Sequence, residues 1–455
     1  MSKDQVGWDR INEEEMPDVE KISKDYMRFI STVKTEREAV KFFKEIAESK
    51  GYKELGDHAN KKGNYYIIKN WKAMALIKLA GDPLEPYKIL AAHMDSPRLD
   101  IKPNPIDEDP DSRTVLFKTH YYGGIKKYQW VSRPLAIHGV VMTKQGRKVE
   151  IAIGESEDDP VFSIPDLLPH LARKVQGEKK LLEGFEGEKL ELLVSHRPEK
   201  NEKEGRFKKY LLNLLKEKYG IEEEDFYTAD LEVVPAGKAK EVGFDKSMIG
   251  AYGQDDKICA FLTVKAILDS SDKGNQIVIL FDKEEIGSDG NVGAQSNLIE
   301  YTLVKIFEST GTQYTYGKLL EVMHNSKVIS ADVGAALNPL FKEVHDLNNV
   351  GRAGDGVLIM KYTGSGGKYS ASEAQAEYLS EIKRILENNH VIYQYGLLGK
   401  VDEGGGGTVA KFFAKYGFQV VDMGPGLISM HSPFELVSKL DVYSSYKAYL
   451  SFLNC

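Results

Sequence analysis

Two glutamates stand side by side where an apolar run ends. In "NQIVILFDKEEIGSDG", Asn275 to Gly290, the stretch Ile277 to Phe281 gives way to Asp282-Lys283 and then to Glu284 and Glu285. Like charges at adjacent positions repel, so something positive offsets them or they point into water. Other apolar stretches also meet acid or imidazole. "ILAAH" ends in His93, with Asp95 two residues on; "VISAD" ends in Asp332; "GLISMHSP" carries His431; and "YGQDDK" sets Asp255 and Asp256 just ahead of a helical pattern. Singly, each has an ordinary reading. A histidine after a strand is usually hydrogen-bonded structure, an aspartate before a helix is more often its N-cap, and paired glutamates are normally a solvated turn. Together, two histidines and several carboxylates at strand ends are what a two-metal hydrolytic centre requires. Imidazole and carboxylate suit zinc, manganese or cobalt. Such an ion lowers the pKa of its water from about 15.7 toward 7, and a carboxylate held off the metal must then carry the proton to the leaving group. Adjacent glutamates can divide those two tasks. Spacing does not say which does which.

The elements that must position these groups are legible in outline. "TEREAVKFFKEIAESKGY" has apolar residues at helical spacing and a stop at Gly51. "NYYIIKN", "KAMALIKLA" and "PYKILAAHMDSPR" read as strands. The Pro- and Asp-rich "KPNPIDEDPDSR" marks a boundary. Short β-type runs follow, "TVLFKTHYYG", "RPLAIHGVVMT" and "KVEIAIG", and then a helical stretch, "GRFKKYLLNLLKEKYG". From about residue 245 strands and helices alternate again: "DDKICAFLTVKAILDS" as helix, "QIVILFD" and "SKVISADVG" as strands, "AQAEYLSEIKRILENNH" as helix, "YQYGLLG" and "FQVVDMG" as further apolar runs, and "ELVSKLDVYSSYKAYLSFLN" as a final helix. The expected fold class is α/β, a mixed, largely parallel sheet flanked by helices. Residues 1–97 and 245–455 would form the catalytic domain, and 98–244 a β-rich domain inserted into it. In such sheets functional residues gather where strands end. The glycine run Gly404 to Gly407 either brings backbone N–H groups close to a substrate or is a flexible turn.

Composition narrows the class. The chain has 455 residues, 42% of them hydrophobic and 29% charged, as in ordinary soluble proteins. Its 61 Lys and Arg are outnumbered by 69 Asp and Glu, so there is no electrostatic footprint for nucleic acid. Two cysteines, Cys259 and Cys455, make neither a disulfide framework nor a Cys-rich zinc site. The polar, acidic start does not read as a signal peptide, and no apolar run is long enough for a membrane span. A cytoplasmic location is expected.

The motifs "AAHMDSPRLDIK", "QDDK", "FDKEEIGSDG", "ISADVG" and "LISMHSPFE" stand in the order of those of the aspartyl aminopeptidase and aminopeptidase I family of zinc metallopeptidases. The chain resembles that family over nearly its whole length. The resemblance implies two divalent ions per subunit, zinc first, with manganese or cobalt as the alternatives. It implies His93 as a ligand, Asp95 as the group that orients it, and Asp255 as the carboxylate bridging the ions, with Asp256 as the alternative. Glu284 would be the general base, Glu285 a ligand, and Asp332 and His431 would complete the shells. "LLPHLAR" resembles a family segment whose histidine reaches a neighbouring subunit's active site and helps hold the oxyanion, which gives that role to His170. The bare sequence reads His170 as a surface helix residue. Dimers assembling to a dodecamer are implied too, with the inserted domain serving dimerisation. The substrate would be a peptide that loses its N-terminal residue. Lys361 lies near where acid-specific relatives place a cation, and Gly406 and Gly407 are candidates to approach the substrate. Relatives carry histidine shortly after the aspartate matched by Asp332; "ADVGAALNP" has none. Spacing alone supports only a two-metal amide hydrolase. A binuclear deacylase or carboxypeptidase, or a non-catalytic metal-binding assembly protein, stands as the alternative.

Overall fold

Thr35 and Glu38 start the first helix that the periodicity predicts. Thr35 Oγ1 accepts from Glu38 N–H at 3.3 Å, and Glu38 Oε2 accepts from Thr35 N–H at 3.0 Å, a reciprocal cap. The helix, α2, spans Glu36–Ser49 and buries Ala39, Val40, Phe43 and Ala47. The computed structural model describes residues 6–455 and adds a helix ahead of it, α1 (Met16–Thr32), which the sequence reading passed over. The signal was there: Val19, Ile22, Tyr26, Phe29 and Ile30 lie along one face, and Pro17 sits in the first turn, where its missing N–H costs nothing.

The chain forms two compact units. The first comprises the residues up to Ser96, Ala239–Met430 and Phe434–Cys455; the second is Pro97–Lys238 with His431–Pro433. At the centre of the first lies a nine-stranded sheet. Its strands, in chain order, are β1 (Lys53–Glu54), β2 (Gly63–Lys69), β3 (Ala73–Leu79), β4 (Tyr87–His93), β5 (Asn275–Phe281), β6 (Lys327–Ser330), β7 (Val357–Met360), β8 (Tyr393–Tyr395) and β9 (Gln419–Gly424). Their order across the sheet is β1-β2-β3-β5-β4-β6-β9-β7-β8. The run β5-β4-β6-β9 is parallel, while β3 and β7 run against it. The sheet is therefore mixed and largely parallel, as expected.

Both faces are covered, so the central strands read as near-continuous apolar runs. Leu90 and Ala92 of β4 face a core shared with α1, α2, α3 (Gln254–Asp269) and α4 (Lys439–Leu453), where Phe29, Phe43, Ile258 and Tyr449 pack. Ile89 and Ala91 face the other core, with Leu303, Phe307 and Met323 from helices Leu298–Ser309 and Tyr316–Asn325. A five-stranded sheet in the same unit joins Lys240–Val242, Met248–Ala251, Glu435–Ser438, Gly426–Ile428 and Gly334–Ala335. Its strands are two to four residues long, too short to show a period.

The second unit is built on a six-stranded antiparallel sheet: Lys148–Ile153, Leu135–Met142, Ala229–Pro235, Arg98–Asp109, Thr114–Tyr122 and Leu192–Ser195. Its helix Arg206–Tyr219 is bracketed by Gly205 and Gly220 at φ 60° and 66°, a left-handed conformation that glycine adopts without a Cβ penalty.

Candidate active site

Parallel pairing puts the ends of three strands side by side. Phe281 of β5 is in register with His93 of β4, and Ser330 of β6 with Ala91. The chain beyond β5 turns through Lys283 (φ 68°) into a short 3-10 turn, Glu284–Ile286, closed by Gly287 at φ 98°. Asp332 follows two residues after β6. Asp255 and Asp256 come from the start of α3, where their backbone is not helical (ψ 110° and 26°), so regular helix begins only after them.

The side chains converge on His93, which is fully buried. His93 Nε2 lies 3.3 Å from Asp255 Oδ1 and 3.9 Å from Glu284 Oε2. Its Nδ1–H donates toward Asp95, with Oδ1 at 3.2 Å and the carbonyl oxygen at 3.1 Å. Asp95 has a second task that sequence alone did not show. Its Oδ1 accepts from Glu284 N–H and its Oδ2 from Glu285 N–H, each at 3.1 Å. One carboxylate thus fixes both the imidazole and the turn that bears the paired glutamates. Asp256 Oδ2 accepts from His93 N–H at 3.4 Å. Two overlapping groups result, His93–Asp256–Asp332 and His93–Asp255–Glu285, each with candidate ligand atoms within 4.8 Å of one another.

The electrostatics suit a bound cation. Burial pushes the Asp256 carboxyl well above the usual range; His93 pulls it down and Asp255 pushes it up. Burial likewise raises Asp332, and neighbouring Asp256 adds to the rise. Burial disfavours the charged form of His93, but the bonds to Asp255 and Asp95 outweigh it and raise the ring's pKa well above its ordinary value. Asp256 Oδ1 is buried without a hydrogen-bond partner. A buried carboxylate oxygen with no donor is costly unless a cation takes that place. One imidazole with several carboxylates is also a zinc-type donor set. The residues present fit a divalent metal.

The structure brings together His93, Asp95, Asp255, Glu284, Glu285 and Asp332. Both Asp255 and Asp256 reach the cluster, so the preference for Asp255 as the bridge is not decided by proximity. His431 belongs to the second unit. It is half-buried at φ 63°, and its Nδ1–H donates to Gly124 O at 3.1 Å. His170 is exposed on the four-residue helix Pro169–Ala172 of that unit. Among the described residues neither histidine joins the two groups. Lys361 is exposed just past β7. Because β7 is antiparallel to β9, the chain leaves it toward the amino ends of the parallel strands. It then meets the glycine run, where Gly364 N–H donates to Gly406 O at 2.6 Å. A Cβ added at Gly406 would meet no atom within 4 Å, and one at Gly407 would meet Lys411 Nζ at 3.2 Å.

Buried carboxylates and an imidazole at the carboxyl ends of a largely parallel sheet define a metal-dependent hydrolase. Residues 29–453 match the family model described as "Aminopeptidase I zinc metalloprotease (M18)". The chain is 48% identical over 457 residues to a probable M18 family aminopeptidase 1 of Borreliella afzelii (strain PKo), covering 99% of each. It is similar to the crystal structure of an M18 family aminopeptidase from Thermotoga maritima, with a TM-score of 0.95 and 46% identity over 100% of both chains. The S. cerevisiae mApe1 dodecamer shares the fold, at TM-score 0.77 and 22% identity over 96% of this chain and 97% of that one. The chain belongs to the aminopeptidase I family of zinc metalloproteases. It is a metallo-aminopeptidase, a hydrolase of peptide bonds, and the deacylase, carboxypeptidase and non-catalytic readings fall away.

Proposed function

We propose that the enzyme binds two zinc ions through His93, Asp255, Glu285, Asp332 and His431, with Asp255 bridging, and removes N-terminal residues from peptides. The observation that carries a metal centre here is the pair of overlapping ligand groups meeting at His93, one with Asp256 and Asp332 and one with Asp255 and Glu285; His431 and the bridging role of Asp255 are taken from the family resemblance. Each proposed histidine ligand also directs its Nδ1–H away, His93 to Asp95 and His431 to the Gly124 carbonyl, which sets Nε2 as the nitrogen for metal. Bound zinc would supply Lewis acidity and an acidified water. Glu284 would take that water's proton on its carboxylate and pass it to the departing amine. Asp95 would keep the imidazole and the glutamate turn in place for that transfer.

His170 would come from a second copy of the chain and donate to the developing oxyanion. Supporting this, Leu167, Leu168, Leu171, Val175, Leu181 and Leu182, which surround it in sequence, are all exposed. Such a stretch of apolar side chains calls for a partner surface. We take the second unit as the dimerisation domain, its end falling at Lys238 rather than at the expected residue 244 because Lys240–Val242 pairs in the small sheet of the first unit, and dimers building a dodecamer as the assembly. The proposed location is cytoplasmic; no described helix is long and apolar enough to cross a membrane. The residue removed is proposed to be acidic, with broad neutral specificity as the alternative; the expected substrate contacts Lys361, Gly406 and Gly407 lie where the chain leaves β7 toward the amino ends of the parallel strands, a placement that argues against them.

The test is a panel of peptides with free or acetylated N-termini, given to protein stripped with EDTA and then supplied with zinc, manganese or cobalt. We expect stepwise release of N-terminal residues from free-amine peptides only, full dependence on added metal, and two ions bound per chain. Cleavage of acetylated peptides alone, or one ion per chain at saturation, would sink the reading.

A further inference from the structure

The backbone of Asp255 is held at both its N–H and its carbonyl by side chains outside the ligand groups. Its N–H donates to Glu435 Oε2 at 3.2 Å, and Gln254 N–H donates to the same oxygen at 2.6 Å. Its carbonyl accepts from Ser96 Oγ at 2.5 Å. Behind Ser96, Lys257 Nζ donates to Oγ at 2.7 Å. Ser96, Lys257 and Glu435 are all buried, at 2%, 1% and 1% exposure. A serine hydroxyl has one proton. With an ammonium donating to its oxygen, that proton is directed at the Asp255 carbonyl, so the order Lys257 to Ser96 to Asp255 is set by donor and acceptor count.

The clamp joins segments far apart in the chain. Ser96 follows directly after Asp95 in the loop that leaves β4 at His93, and Glu435 opens a strand of the small sheet, 180 residues beyond Asp255. Asp255 has no regular helix to hold it, since its ψ of 110° places it outside the α-helical ladder. Its backbone therefore takes its position from these side chains.

We infer that Ser96 and Glu435, with Lys257 behind Ser96, are positioning residues that set the Asp255 carboxylate for metal. The inference rests on the ligand assignment proposed above. Outer groups that orient ligands typically cost 10–100-fold in metal affinity when removed. Ser96→Ala removes the donor to the Asp255 carbonyl and little volume.

The experiment is calorimetric titration of metal-free protein with Zn2+, beside the visible spectrum of the Co2+-loaded protein. Ser96→Ala is expected to bind zinc about 10-fold more weakly and to show a shifted cobalt spectrum, while Ser96→Thr, which restores the hydroxyl, recovers both. A structural role alone would move the melting temperature but leave the cobalt spectrum unchanged. Wild-type affinity with an unchanged spectrum in Ser96→Ala overturns the inference. Should that variant not fold, Ser96→Cys decides on the same criterion, because a thiol is the poorer donor in the same place. His93→Ala separates the two levels of the argument. If it binds zinc as wild type does, the ligand assignment itself fails; if it loses zinc while Ser96→Ala does not, only the clamp fails.

Discussion

Asp95→Asn exchanges one atom and tests how the centre is held. Three donors approach the Asp95 side chain in the site: His93 Nδ1–H at 3.2 Å and Glu284 N–H at 3.1 Å on Oδ1, and Glu285 N–H at 3.1 Å on Oδ2. A carboxylate meets all three. An amide must turn its NH2 group toward one side. In the cheaper orientation it faces Glu285 N–H and loses one bond; in the other it faces His93 and Glu284 and loses two. A hydrogen bond to a charged group contributes about 1.5–3 kcal/mol, so the cheaper orientation costs roughly 2 kcal/mol in the glutamate turn alone. Loss of a negative charge among Asp255 and Glu284 relieves some repulsion and opposes this in the metal-free fold. Zinc affinity is therefore the sharper readout. It is expected to fall 10–100-fold, about 1.4–2.7 kcal/mol at 1.36 per decade. Calorimetric titration of the metal-free variant measures it, and turnover at saturating zinc shows whether the glutamate turn has shifted as well. An Asp95→Asn protein with unchanged zinc affinity and unchanged turnover would refute the idea that one carboxylate organises both the imidazole and the glutamates.

Glu284→Gln keeps size and loses the proton carrier; it is expected to bind metal normally and to turn over about 10²–10⁴-fold more slowly, and substantial residual turnover at full occupancy would contradict the base assignment. For His170→Ala the expected change is a lower kcat with little change in zinc content, and a fully active isolated monomer, identified by light scattering, would exclude a role in trans. Asp441 is a buried carboxyl pushed up to about 8 by burial, against two backbone N–H bonds from Gly354 and Gly356 that pull it down. In the unfolded chain an aspartate titrates near ~3.9. The folded state thus holds an extra proton between those values, and its contribution to stability is lost as pH rises through about 8. Urea unfolding from pH 5 to 9 should give a flatter profile for Asp441→Asn than for wild type, and parallel profiles would count against the shift.

The fold was legible where residues repeat. β4 and β5 announce themselves as apolar runs because helices cover both faces of the sheet, and α2 because its cap and its period agree. α1 escaped although its stripe, Val19 to Ile30, is regular, because polar residues, Asp18, Glu20, Lys21, Ser23, Lys24 and Asp25, outnumber the apolar ones over residues 16–25. The small sheet left no period at all. At the site, residue types and strand ends pointed to His93, Asp95, Glu284, Glu285 and Asp332. Glu435, Ser96 and Lys257 gave no signal. Their task is a hydrogen bond to a backbone group, and nothing in a sequence marks which backbone group a buried side chain will meet.

The place of β4 in the sheet has a consequence for synthesis. Its two neighbours are β5 and β6, not the hairpin of β2 and β3 made just before it. Asp95 meets Glu284 across 189 residues of chain. As the chain leaves the ribosome, β4 therefore waits with both edges open through the whole of the 97–238 stretch. An unpaired apolar strand of this kind invites wrong pairing. The second unit, continuous over those residues apart from its short later segment, can fold during the wait. On the ligand set proposed above, the centre cannot begin to form until Glu285 and Asp332 have been made, and zinc loading would then be a late event in the life of each chain.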